Sequence, residues 1–581
     1  MKKFAVILAL LTTPLLTAQS GGLDDAMKAI DSERMRATVK YLSDDALEGR
    51  GTGQKGGDLA ADWIAAQFKS YGLQPAGDNG TYFQNVSFFG VTTDAKQTRF
   101  SFKPKSGAEM TLRFADDYVT TDQTHAEKSV IDAPIVFVGY GIDAPEYTWN
   151  DYKGADLKGK VLLMLVNEPP SDDPKFFKGP ALTYYGRWTY KFEEAARRGA
   201  VGVILIHKKE MASYGWEVVR NSWGGETSLL ANDRDPKLKS AGWIQLEVAR
   251  KLAAASGMDL DKMMQDATSR SFQPVELPVR LNETIVSHVR EFSSRNVIGK
   301  VAGTSTGPSP KAVIYTAHYD HLGIHPDEPG DNIYNGAADN ATGCGIVLEL
   351  ARVVAASKHP PKDTMFFATV TAEEQGLLGS KYLGQHPPIP ARDISLDLNF
   401  DDLLPVGEPQ ELVATGAERT TVFPLVQKLA KEFGMAIAPE DHPEAGYYYR
   451  SDHFSMARVG VPAFSINQGA LFKGHDRAWG EDKESDYRAH RYHQPSDEYR
   501  PDMDFTGNAK MARFGLALGW QVANLPQVVQ WKPGDEFEKA RKTAGLGFSN
   551  GLLGRNNDQE IDSPNWDNTT GPQVADRYRP R

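Results

Sequence analysis

The chain holds a single cysteine, Cys344, among 581 residues. That scarcity excludes a disulfide framework and a thiolate metal cluster, so stability has to come from an apolar core. Long apolar runs are scarce as well. Beyond residue 16 nothing approaches the ~20 consecutive apolar residues that cross a bilayer, and no membrane partner is expected. Positive charge is in short supply, 65 Lys and Arg against 76 Asp and Glu, for a formal net charge of −11. A chain this acidic is a poor ligand for nucleic acid. The glycine-rich stretch ALEGRGTGQKGG at 46–57 has neither a preceding strand nor the Gly-Lys-Ser/Thr ending of a phosphate-binding loop, which argues against a nucleotide site.

What the sequence does contain begins with an export signal. Lys2 and Lys3 precede an apolar stretch at 4–16 and the small residues Ala18 and Ser20, the three-part pattern of a bacterial secretory signal peptide. Residues 1–20 are assigned to it, and the expected address is periplasmic or extracellular. At ~150 residues per domain the length leaves room for a few domains. Residues 21–128 are expected to open with two helices. In the first, capped by Ser32, Met35, Val39 and Leu42 recur at helical spacing. In the second, at 58–71, Leu59, Trp63, Ile64 and Phe68 share a face and Gly72 ends it. From residue 129 the pattern changes to short buried strands, PIVFVGYGI and KVLLMLV, followed by a helix, glycine turn and strand in FEEAARRGAVGVILIH. This inserted unit is bounded at 129–284 and a catalytic half at 285–530. Residues 531–581, rich in Gly, Asn, Asp, Pro and Arg, read as an irregular extension.

Five segments carry the chemistry: AVIYTAHYD (312–320), NGAADNATG (335–343), FFATVTAEEQG (366–376), LDLNFDD (396–402) and YHQPSDE (492–498). In order they present His318, Asp339, Glu374, Asp401 and His493. His318, Glu374 and Asp401 stand where an apolar run stops, and ligands of open α/β sheets gather at such carboxyl edges. Two imidazoles and three carboxylates are borderline-to-hard donors suited to zinc. If one carboxylate bridges, each of two ions receives three protein ligands and keeps a place for water. Glu373, beside Glu374, can take that water's proton. Asp320, two residues past His318, is expected to accept the other ring N–H and fix the tautomer. Asp339 precedes a helix with Ile346, Val347, Leu350, Val353 and Val354 on one face, whose N-terminal dipole favours an anion. Taken singly, a carboxylate at a strand end is more often a cap or a solvated charge; five in a fixed order, each in a segment that resembles the same known family, reverse those odds. His493 has the least local support, since the stretch around it, with His475 and His490, reads on composition as a solvated loop.

Together these segments resemble the dizinc peptidases of family M28, the aminopeptidase and glutamate-carboxypeptidase group. The segment at 42–77 resembles the opening of its larger members, and the unit at 129–284 resembles a protease-associated (PA) domain. The resemblance implies an α/β/α sandwich around a mixed sheet. It implies two zinc ions as cofactors, one held by His318 and Asp401 and the other by Glu374 and His493, with Asp339 bridging and Glu373 as general acid/base. The family pattern Tyr-His-x-x-x-Asp selects His493, and Asp497 completes it. Asp402 follows Asp401 where the family more often has an apolar residue; the spacing from Asn399 and Phe400 favours Asp401. Residues 447–464 resemble the family's Ser-Asp-His stretch. That brings Tyr447, Tyr448, Tyr449 or Arg450 to the oxyanion or the substrate terminus, and Asp452 and His453 beside the site, His453 as a supporting residue rather than a ligand. His321 and His325 are expected at the site rim. The implied activity is removal of N-terminal residues from peptides. Its alternatives are a carboxypeptidase acting on acidic C-termini, a single-zinc glutaminyl cyclase, and a non-catalytic PA-domain binding protein. Oligomeric state stays open.

Overall fold

The computed structural model describes residues 22–543 apart from 213, 307–310 and 327–328. The signal peptide read at 1–20 lies outside the described residues, as does the end of the C-terminal extension from 544 on. Four parallel strands form the heart of the C-terminal half, in the order Ala463–Ser465, Ile394–Asn399, Ala312–His318, Thr364–Val370. Ala312–His318 and Ile394–Asn399 are buried along their whole length, as expected of central parallel strands covered on both faces. Val275–Val301 runs antiparallel beside Thr364–Val370 and makes the sheet mixed.

Side-chain alternation along Ala312–His318 sets the layers. Tyr315 points to the helix Thr506–Val522, where its hydroxyl donates to the Gly515 carbonyl at 3.3 Å. Thr316 faces the other way, its hydroxyl 2.9 Å from Asp397 and 3.0 Å from Asn399. Asn399 in turn donates to Ser451, just ahead of the helix His453–Arg458. Helices thus cover both faces, the α/β/α arrangement expected for a mostly parallel sheet.

Ser32–Leu42, Lys55–Tyr71 and Thr506–Val522 all pack against Thr342–Ala355. Met35, Val39 and Leu42 are buried as their spacing requires, but the cap is Asp31, which accepts from the Glu33 amide at 2.9 Å; Ser32 is already helical. The second helix starts at Lys55, and its buried face is Ala60, Ala61, Ile64, Ala65 and Phe68, with Leu59 exposed. Three alanines let this helix approach its neighbours closely, and that turns the apolar stripe away from Leu59. Gly72 ends it with φ 82°, a conformation that costs a residue with a Cβ.

The strand Val275–Val301 is long because it belongs to two sheet regions. Its first part pairs with Lys128–Phe137 and Arg99–Pro104, its middle with Phe83–Thr93, and its end with Thr364–Val370. Beyond Lys128–Phe137 follow the parallel strands Val161–Leu165, Gly202–His207 and Ser240–Gln245, then antiparallel Tyr118–Thr121. Phe137, Leu163, Ile204 and Ile244 fill one side of this region and Val136, Leu162, Val203 and Trp243 the other. Arg99–Pro104 and Tyr118–Thr121 also pair within this region, so its strands begin ahead of residue 129. At the other end, Trp531 is buried, Arg419 is paired with Asp535 and Glu536 at 2.7 and 2.6 Å, and Glu538–Thr543 is helical. The extension expected to be irregular is therefore packed on the C-terminal half as far as residue 543. Among the described residues no helix is long and apolar enough to cross a membrane.

Candidate metal centre

Three strand ends and two turns bring the carboxylates and imidazoles together. His318 is the last residue of its strand; Glu373 and Glu374 follow Thr364–Val370, and Asp401 follows Ile394–Asn399. Asp339 lies in the tight turn Ala337–Ala341 that feeds the helix Thr342–Ala355. His493 follows the helix Arg477–His490, with φ 55°. That helix replaces the solvated loop read from composition. It is polar on nearly every side, burying only Gly480 and Tyr487, so no apolar stripe announces it.

Asp339 divides its oxygens: Oδ1 is 3.2 Å from His318 Nε2 and Oδ2 is 3.2 Å from His493 Nε2. Each imidazole nitrogen meets a second carboxylate, His318 that of Asp401 at 3.1 Å and His493 that of Glu374 at 3.2 Å. Glu373 joins His318 and Glu374 in a group whose ligand atoms lie within 4.8 Å of one another. Asp402 does not share in this; it faces Arg488 at 3.2 Å.

So many carboxylates in a buried space need cations. Burial pushes Glu373 well above the usual carboxylate range, and Glu374 and Asp401 add to it. Burial likewise raises Asp320 to about 6. Glu374 is held at about 2 despite burial and Asp339, because His321 and His493 lie against it. The imidazoles are drawn in as counter-charges. Burial opposes protonation of His493, yet Asp339 and Glu374 raise it to about 11, and Asp401 and Glu373 raise His318 well above its ordinary value. Divalent cations would serve the same end and release those protons, since a ligating imidazole must be neutral. The donors are nitrogen and oxygen only, and they fit zinc.

The model of peptidase family M28 matches residues 296–517. Those residues form an M28 peptidase domain. A probable zinc metalloprotease of Pyrenophora tritici-repentis (strain Pt-1C-BFP) is 30% identical over 200 residues, 33% of this chain and 34% of that protein. Leucine aminopeptidase 1 of the same organism is 27% identical over 234 residues, 38% of this chain and 55% of that protein. The match thus spans about a third of the first relative and about half of the second. The aminopeptidase from Aneurinibacillus sp. strain AM-1 superposes over 88% of this chain and 96% of that one, with TM-score 0.45 and 19% identity.

Around the M28 centre stands a second layer of groups that sets its geometry. His318 Nδ1 lies 3.1 Å from the Asp320 carbonyl oxygen and donates to it; the Asp320 carboxylate stands at 3.8 Å. The expected tautomer lock therefore uses the backbone of Asp320. Its carboxylate instead accepts from the Thr52 hydroxyl at 2.9 Å and the Glu373 amide at 3.2 Å. Arg50, fully buried, donates to the carbonyls of Tyr319, Asn335 and Gly336 at 2.7, 2.5 and 2.8 Å and to that of Leu42. The glycine-rich loop thus turns its one arginine inward, onto the two loops that carry His318 and Asp339. Asp497 accepts from the amides of Ala338 and Asp339 at 3.0 and 3.1 Å, and Ser451 donates to Asp401 at 2.5 Å.

His321 departs most from expectation. Read as a rim residue, it is fully buried, with Nδ1 2.6 Å from Glu374 Oε1. It forms with Asp339 and Glu374 a third group within 4.8 Å. Nothing local in the sequence separates it from His325, which is only part-buried and packs on the Tyr334 ring at 4.4 Å. The tyrosines part company too. Tyr448 and Tyr449 are buried, their hydroxyls donating to the Ala463 carbonyl at 2.9 Å and to Glu536 at 2.7 Å, which removes both from the substrate side. Tyr447 stays exposed, with the Arg450 guanidinium 5.4 Å from its ring centre. His453 is buried against Tyr448, burial pushes it down to about 4, and its Nδ1 meets Ser465 at 3.0 Å. Asp452 is fully buried next to it, and burial raises it to about 7.

Proposed function

We propose that this chain is an exported dizinc metallopeptidase that removes N-terminal residues from peptides. The observation that carries the reading is the split carboxylate of Asp339, one oxygen toward His318 and one toward His493, each imidazole meeting its own further carboxylate. In this reading His318 and Asp401 hold one ion, His493 and Glu374 the other, and Asp339 lies between. When bound, such a pair polarises the scissile carbonyl and lowers the pKa of water towards ~7. Glu373 accepts the proton of the attacking water and returns it to the leaving amine. Its raised proton affinity, from burial and then from Glu374 and Asp401, suits a group with both duties. Tyr447 or Arg450 is left to face the oxyanion or the substrate terminus. In this reading the sheet region around residues 129–284 is a PA-type unit. The aminopeptidase preference is supported by the likeness to a leucine aminopeptidase, and export by the pattern of residues 1–20.

An eight-residue peptide with free, N-acetylated or C-amidated ends, assayed before and after chelation and zinc return, tests this. The expected product is the free N-terminal residue, absent with the N-acetylated peptide and restored by zinc. Release of the C-terminal residue would replace this reading with a carboxypeptidase. No product from any of the three, over varied side chains, would replace it with a binding protein.

A further inference from the structure

The loop that carries Glu373 and Glu374 holds a conformation that needs support. Ala372 and Leu377 have φ 56° and 62°, and Gly376 between them has φ 99°. Residues with a Cβ enter this left-handed region only where their surroundings over-determine it. The Gly376 and Leu377 amides donate to the Glu373 carbonyl at 2.8 and 2.9 Å, and the Leu378 amide donates to that of Ala372 at 2.9 Å. Loop and following helix, Leu378–Gln385, are therefore one unit. The two glutamates differ in what else holds them. The Glu374 carboxylate has His321 and His493 against it at 2.6 and 3.2 Å. Among the described residues the Glu373 carboxylate has no hydrogen bond or ion pair; its amide donates to Asp320 at 3.2 Å, and the backbone places it.

The anchor for this unit comes from a segment ahead of the M28 match at 296–517. On the strand Glu226–Leu230, the Ser228 hydroxyl donates to the Gln375 side-chain oxygen at 3.0 Å. Leu230 shares a buried cluster with Ala372, against which Leu378 packs. Three residues further on, the almost fully buried carboxylate of Asp233 accepts from Lys381 at 2.7 Å and from the Gln385 side chain at 3.0 Å, both on Leu378–Gln385, and from Lys237 of its own segment. Asp235 meets Lys381 as well, at 3.0 Å. Burial opposes the charge of Asp233, yet Lys381 and Lys237 hold it well below the usual carboxylate range. Removing one partner of such a buried pair leaves the other uncompensated, which ties the segment to the helix.

We propose that Asp233 is a positioning residue for Glu373, acting through Lys381 and Gln385 on the helix that follows the loop. This rests on the peptidase reading. A general base must meet its water within hydrogen-bond reach, and a misplacement of about 1 Å removes much of its effect. Chain outside the M28 match then sets the rate without touching substrate or metal.

The test reads amide hydrogen exchange over residues 371–385 and, on zinc-loaded protein, kcat and KM for a leucyl peptide. In Asp233→Ala, exchange at the Gly376, Leu377 and Leu378 amides is expected to speed up. There kcat is expected to fall by about 10–100-fold while KM and zinc content hold. Lys381→Ala should act likewise, and the double variant should be no worse than either, since the two residues work as a pair. Asp233→Glu should restore most of kcat, because the flexible lysine stem can follow the carboxylate. A role in folding alone predicts less folded protein with kcat per zinc unchanged. If Asp233→Ala fails to fold, Ser228→Ala, which removes only the bond to Gln375, is expected to show the same changes in smaller measure. Unaltered exchange in the loop, or unaltered kcat in the folded variants, overturns the proposal. If the wild-type protein cleaves no peptide, the peptidase reading fails on its own; faster loop exchange in the variants then supports the anchor and unchanged exchange overturns it.

Discussion

His321 Nδ1 lies 2.6 Å from Glu374 Oε1, inside a fully buried imidazole that the sequence alone leaves in a surface loop. The contact occupies one oxygen of Glu374 and leaves Oε2 toward His493. Groups that hold a ligand in this way govern metal affinity more than they govern folding. His321→Ala is expected to weaken zinc binding by about 10–100-fold, measured by competition with a chromogenic chelator. Unaltered affinity would remove this role.

Glu373 and Asp402 separate base, ligand and bystander. Glu373→Gln should keep its metal while kcat falls by about 10²–10⁴-fold. Asp402→Asn should also keep its metal, because Asp402 faces Arg488, whereas Asp401→Asn should lose it. Elemental analysis of the three proteins decides. Metal lost from the Asp402 variant and retained in the Asp401 variant would shift the ligand assignment by one residue.

Arg50 joins four backbone carbonyls with one guanidinium. Lysine cannot reproduce that fork, so Arg50→Lys is expected to destabilise the fold by about 3 kcal/mol or more, read from urea unfolding. A loss within about 0.5 kcal/mol, the size of an ordinary surface substitution, would show that water or rearrangement replaces these bonds.

Glu283 supplies a pH test away from the metal. It is fully buried on Val275–Val301, and burial raises its carboxyl to about 7. The folded protein then holds this proton where the unfolded chain has lost it near 4.5. Stability from this group is full below pH 4.5 and is lost as pH rises to about 7. Glu283→Gln should therefore stabilise the protein above pH 7 by on the order of 2–3 kcal/mol and change little at pH 4.5. Thermal melts at the two pH values check it; an equal effect at both would point to packing instead.

Much of this was legible in one dimension because short-range rules produced it. The stretches at 312–318 and 364–370 are largely apolar since both faces are covered, and each ends close to a candidate ligand. Gly72 announced a helix end through its positive φ. Where the signal depended on partners, it failed. The alanines at 60, 61 and 65 outweighed Leu59 in choosing the buried face, because the neighbouring helix sets how close the approach must be. The helix Arg477–His490 carries almost no apolar pattern, since it buries so little.

The sequence by itself determined the order of the candidate donors His318, Asp339, Glu374, Asp401 and His493, the strands that deliver three of them, and the likeness of residues 296–517 to the M28 family. The tertiary structure decided which way each side chain faces: Asp339 between two histidines, Asp401 rather than Asp402 toward His318, Tyr448 and Tyr449 bonded to Ala463 and Glu536, and His321 against Glu374. The reason is physical. Periodicity and donor type are properties of neighbouring residues, whereas burial and pairing depend on groups brought together from positions as far apart as Arg50 and Gly336, which only the closed fold makes neighbours.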